Sequence, residues 1–184
     1  MTAPTRHEAP SDYRMLVPRD WFRIDLTQER WRPQLKTFMD QQSAGKDVPA
    51  ETKREIWATL RNLAEAGVAH GALELFLRTD SPGGAPYPAT LLISLLHAPD
   101  GEPAAPQRLA EVLADRRGET AEVSVVTLPA GETVRVLTDT TMDFHVHMPG
   151  DVGYLMLSFS IPLSGTTGPM ARLCESMAHS LRWI

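Results

Sequence analysis

The chain has 184 residues, 42% hydrophobic and 22% charged, which suits one globular domain whose core is large enough to need no disulfide or metal staple. A net charge of −5, from 18 Lys and Arg against 23 Asp and Glu, argues against nucleic-acid binding, and no run approaches the ~18 apolar residues of an integral membrane segment. The single Cys174 excludes an internal disulfide; with no apolar stretch before Asp12 for a signal peptidase, a cytoplasmic location is expected.

Residues 1–14 are polar and proline-bearing and read as a disordered tail, leaving residues 15–184 as a single domain. Trp21, Phe22, Ile24 and Leu26 predict a short strand closed by Thr27. Trp31, Leu35, Phe38 and Met39 fall at i, i+4, i+7 and i+8 and predict a helix starting close to Trp31, because Pro33 is tolerated only in a first turn. Pro49 and Glu51 open a second helix with Ile56, Leu60, Leu63 and Ala64 on one face, and Gly67 is its expected stop. The period then changes. Leu73, Leu75 and Leu77 alternate as in a strand, Ser81 to Pro86 is a loop, and Leu91 to Leu96 is apolar on both faces, as in a central strand covered twice. Asp100 to Pro106 is a further loop, and Leu109, Val112 and Leu113 predict a short helix ending at Gly118. Four strands follow over Glu122 to Leu128, Glu132 to Thr138, Met142 to Met148 and Gly153 to Ile161. A last helix carries Met170, Leu173, Met177 and Leu181 and ends at Trp183.

The late connections are too short for crossover helices, so these strands are consecutive antiparallel hairpins. Placing Val134 opposite Val146 and Val136 opposite Phe144 leaves Asp139-Thr140-Thr141 as a loop. Val146 opposite Leu155 and Phe144 opposite Leu157 leave a four-residue turn, Pro149 to Val152. That register sets Arg135 against His145 and His147 against Tyr154 on the face away from the core, with Asp143 and Ser158 beside them. Arg135, Asp143, His145, His147 and Tyr154 are therefore the candidate binding residues, on a polar sheet face.

The spacing Asp143-x-His145-x-His147 projects a carboxylate and two imidazoles the same way, about 7 Å apart along a strand, which is the chemistry of a shared metal ion. No further Cys, His or Asp cluster supplies the rest of a shell, so a solvated mixed-charge face is the plainer explanation and no cofactor is expected. Ser158 and Ser160 lie within a strand, not on a nucleophile elbow, and Cys174 sits beside an apolar helix stripe as a small hydrophobe. Ser81-Pro82-Gly83-Gly84 lacks the Gly-Lys-Ser/Thr end of a phosphate loop. Met170 and Met177 on the last helix suggest a groove against the sheet, where a carrier could hold a small molecule.

The segments Val17 to Leu26, Leu91 to Leu96, Met148-Pro149-Gly150 running into Tyr154 to Pro162, and the closing Leu181-Arg182-Trp183 together resemble a group of small actinobacterial cytosolic proteins often encoded beside type VII secretion systems. Their architecture is similar to the PsbP-like fold, an antiparallel sheet sandwiched between helices. The resemblance implies a binding or assembly module with a protein partner and carries over no catalytic residue. The expectation is thus an α/β sandwich of the α+β class, with six to seven mostly antiparallel strands and about four helices. It would act as a non-enzymatic binding or accessory module linked to type VII secretion. The alternative is a metal-binding protein or metal-dependent enzyme using Asp143, His145 and His147.

Overall fold

The strands between Ala72 and Ser160, joined by Trp21–Asp25, build one large sheet, and the helices before, within and after that stretch cover it. The computed structural model describes residues 8–79, 88–98, 101 and 103–184. Nine strands lie among them: β1 (Tyr13–Arg14), β2 (Trp21–Asp25), β3 (Ala72–Arg78), β4 (Thr90–His97), β5 (Glu122–Leu128), β6 (Gly131–Leu137), β7 (Thr141–His147), β8 (Gly153–Ser160) and β9 (Arg182–Trp183). The helices are α1 (Trp31–Ser43), α2 (Ala50–Ala69), α3 (Pro106–Arg117) and α4 (Pro169–His179). Seven strands form an antiparallel sheet in the order β2-β3-β4-β8-β7-β6-β5, and β1 pairs with β9 in a separate ribbon. The fold is an α+β sandwich, as the periodicities predict. Loop residues 81–86, 100 and 102, and residues 1–7 of the expected tail, lie outside the described residues.

Both faces of the sheet are roofed. On one, Phe76, Leu91, Ile93, Leu155, Leu157, Phe159, Met142, Phe144 and Val146 pack with Ala171, Cys174, Met177 and Ala178 of α4. On the other, Ile24, Leu75 and Leu77 pack beneath Trp31, Leu35 and Phe38 of α1 and Leu60 and Ala64 of α2. Farther along that second face α3 crosses β5 and β6, with Arg117 reaching Asp143 and Gln107 reaching Glu132. Leu91 and Ile93 belong to the first cluster while Leu92 packs against the second, which explains why β4 is apolar on both sides.

Three expectations are corrected. Residues 11–14 do not belong to a disordered tail: Ser11 and Asp12 amides donate to the Ile184 carbonyl, the Ile184 amide donates back to Asp12, and β1 follows. Tyr13 then donates its hydroxyl to Glu74 on β3. Gly67 does not stop α2, which runs on to Ala69. Gly67 is buried where a Cβ would come within 3.1 Å of both the Ala72 Cβ and a Leu92 methyl, so it serves close helix–sheet approach. The last helix stops at His179 rather than Trp183, because Arg182 and Trp183 turn into β9.

The fourth correction reorders a face. β6 and β7 pair as Val134 with His145, Arg135 with Phe144 and Val136 with Asp143, one residue away from the expected register. The turn is tighter than Asp139-Thr140-Thr141. Thr138 and Thr141 close it, the Thr138 amide donating to the Thr141 carbonyl at 3.0 Å. The Thr138 hydroxyl accepts from the amides of Thr140 and Thr141 at 3.3 and 3.0 Å and meets the Thr141 hydroxyl at 2.7 Å. These bonds give the two-residue turn a local preference that hydrophobic matching does not reveal. The β7–β8 register is the expected one, including His147 opposite Tyr154 and the turn over residues 149–152.

Candidate functional site

Strand alternation aims Asp143, His145 and His147 at the second sheet face, with Ser158, Met156 and Tyr154 as their partners on β8. Four of the five expected site residues therefore do share a face. Arg135 does not. The one-residue change of register puts it on the opposite face, beside Phe144, where its guanidinium lies 3.7 Å from Glu122 and 3.7 Å from Glu175 of α4.

The face is not the solvated one that was expected. Asp143 is 5% exposed and His145 7%; Arg117 at the end of α3 reaches Asp143, and the segment leading into α3 meets Tyr154. The Tyr154 hydroxyl donates to the Ala104 carbonyl in that segment, and burial pushes its pKa up to about 12. Ser158 Oγ donates to Asp143 Oδ1 at 2.5 Å, and the Arg117 guanidinium stands 4.0 Å from Oδ2, so the buried carboxylate has a hydroxyl donor and a cation. His147 points Nε2 at Asp151 Oδ1, 3.3 Å away, and its ring lies 5.1 Å from that of Tyr154. His145 Nδ1 is buried with no hydrogen-bond partner. Burial holds this imidazole below its usual pKa, outweighing the opposing attraction of Asp143, so it stays neutral near pH 7.

That shift has a sign. The unfolded chain takes up a proton on His145 below the ordinary histidine pKa of ~6.5, while the folded chain takes it up only at lower pH. Stability is therefore fully present above about pH 6.5 and falls by up to ~1.4 kcal/mol per pH unit as the pH drops toward the folded pKa. Urea melts at pH 7.5 and 5.5 should show wild type losing more stability than His145→Gln across that interval; equal losses would mean that His145 is solvated.

Among the described residues, no group of three or more His, Cys, Asp and Glu is placed to hold a metal ion. Asp143 is bonded to Ser158, and His147 turns away to Asp151. Candidate nucleophiles are engaged as well: Ser158 donates to Asp143, and Cys174 is fully buried on the inner side of α4, where burial pushes its thiol up to about 12. Met177 is a core residue, and half-buried Met170 lies with its sulfur 4.0 Å from Arg78, so the two methionines fill space instead of lining a groove. The outer side of α4 instead bears a shallow polar hollow between Arg172, Ser176 and His179. A cleft of about 320 Å³ lies where the chain after β1 crosses β2, β3 and β4. Its one carboxylate, the half-buried Glu74, is already taken by Tyr13 and Arg23.

One feature that sequence reasoning missed is the far edge of the sheet. β5 is an edge strand of seven residues, Glu-Val-Ser-Val-Val-Thr-Leu, with β6 on one side and no strand among the described residues on the other. It carries no Pro, Gly or Lys, the usual means of blunting an edge, and no charge after Glu122. Its covering helix is loosely seated: Pro106 is the only buried residue of α3, while Leu109, Val112 and Leu113 are half-buried and Val125 is 39% exposed. The signal was present in the run of β-branched residues beside a helix with only three large aliphatics. Comparison with protein-family models, with curated proteins and with solved structures finds no match.

Proposed function

We propose that this protein is a non-enzymatic binding or accessory module of the cytosol that joins protein surfaces through the β5 edge and the adjoining side of α3. The observation that carries this reading is a seven-residue edge strand, paired with β6 on one side and with no strand among the described residues on the other, beneath a half-seated helix. Backbone donors and acceptors along such an edge give affinity, and neighbouring half-exposed side chains give selectivity. It is also supported by the inward commitment of the polar groups: Ser158, Asp143, Tyr154 and Cys174 are each held in structural bonds or packing. No helix among the described residues is long and apolar enough to cross a membrane, which agrees with a partner met in aqueous surroundings. The link to a type VII secretion apparatus or its substrates rests on the sequence resemblance alone.

A photo-crosslinking residue at position 125 tests the reading in cells of the native host, with the same residue at His179, on the outer side of α4, as control. Discrete adducts from position 125 and none from 179 are expected, and a secretion component among them would support the pathway. Absence of adducts from position 125, or the same adducts from both positions, would overturn the edge as a docking surface.

A further inference from the structure

We infer that the occupant of the β5 edge is a second copy of this chain, paired antiparallel about a two-fold axis through Val125. The inference rests on the edge being a docking surface and names what docks there. A two-fold axis perpendicular to the sheet keeps each face on its own side, so only registers that set odd residues against odd and even against even are allowed. The register centred on Val125 pairs every residue of β5. Val125 meets its own copy, Ser124 meets Val126, Val123 meets Thr127 and Glu122 meets Leu128. No charge faces a like charge, because the two Glu122 side chains lie at opposite ends of the seam. A register centred nearer the start of β5 would bring the two carboxylates together and pair fewer residues.

A second copy also completes what an extended peptide would leave unfinished. α3 lies on the same face as Val125, so the two-fold brings two α3 helices to one side of the seam. Leu109, Val112 and Leu113 from both copies then lose exposure together with the paired valines. A peptide strand would satisfy the backbone of β5 and leave those leucines half-exposed. The product is a continuous sheet of twice seven strands with β2 at each end.

The test is the mass of the full chain by light scattering over a hundredfold range of micromolar concentration. Twice 20.3 kDa is expected for wild type, and a single chain mass for Val125→Lys with an unchanged far-ultraviolet circular dichroism spectrum, because that position is exposed and lysine there sets charge against charge. Val125→Cys should cross-link to itself on oxidation, whereas Thr127→Cys, which faces Val123, should cross-link at least tenfold less. Cys174 is buried and stays silent. Wild type at a single chain mass throughout, or a dimer that survives Val125→Lys, overturns the inference. If the monomeric chain still binds a synthetic β5 peptide, and Val125→Lys does not, only the identity of the occupant fails. No peptide binding by a monomeric chain would remove the edge reading as well.

Discussion

Gly153→Ala is expected to be among the most damaging single methyl additions in this chain, lowering stability by about 3 kcal/mol or more. Gly153 opens β8 at a φ of +147°, and a Cβ there would stand 2.3 Å from the Leu96 carbonyl oxygen and 3.3 Å from the His97 Cα. Both neighbours are backbone of β4, paired with β8 along its whole length, so nothing flexible can yield. A disfavoured backbone conformation costs about 1–3 kcal/mol, and forcing β4 from β8 adds the loss of central ladder bonds. The same substitution at Gly118 makes an internal control. Its φ is +58°, but no atom lies within 4 Å of the added carbon, so it should cost only the backbone strain, about 1–3 kcal/mol. Urea denaturation would measure both. A Gly153→Ala midpoint no lower than that of Gly118→Ala would contradict the close approach of β4 and β8.

Phe159→Ala should cost a comparable amount, about 3–5 kcal/mol, the range for emptying a buried aromatic site. The ring is fully buried on β8, between Leu91 of β4 and Met142 of β7, and meets Phe144 edge-on with centroids 6.2 Å apart. α4 roofs that region, so partial collapse around the void would have to move a helix whose Cys174, Met177 and Ala178 are already packed. For a domain whose whole stability is about 5–15 kcal/mol, a fall in Tm of roughly 10 °C is expected. Phe22→Ala offers the comparison on the other face. Phe22 is only half-buried, 5.6 Å from Phe38, so its loss should be felt less. A calorimetric scan showing the reverse order would place the main core beneath α1 instead of α4.

Most elements of the fold could be read from residue patterns because their signals were local. The α1 stripe of Trp31, Leu35 and Phe38, the doubly apolar Leu91 to Leu96, the stop of α3 at Gly118 and the turn before Gly153 all depend on neighbours close in sequence. The β6–β7 register failed for a different reason. Matching Val134 and Val136 with Val146 and Phe144 assumes one greasy face, whereas this sheet has two, so the valines of β6 and the apolar residues of β7 are buried on opposite sides. With both faces covered, hydrophobic alternation no longer ranks registers, and the Thr138 turn decides. The slip removed Arg135 from the candidate site and left Asp143, His145, His147 and Tyr154 together, since those four depend on β7 and β8 alone. The ordering of residues 11–14 was hidden because their partners, Ile184 and Arg182, lie at the other end of the chain. The open edge was legible only as an omission: β5 lacks the charges and prolines that protect such strands.

Cross-strand backbone nuclear Overhauser contacts between β6 and β7 test the central arrangement most directly, because that pairing sorts the polar residues onto their faces. The structure predicts contacts joining Val134 to His145 and Val136 to Asp143. Contacts joining Val134 to Val146 and Val136 to Phe144 would contradict it, returning Arg135 to the histidines and turning the polar cluster out to solvent.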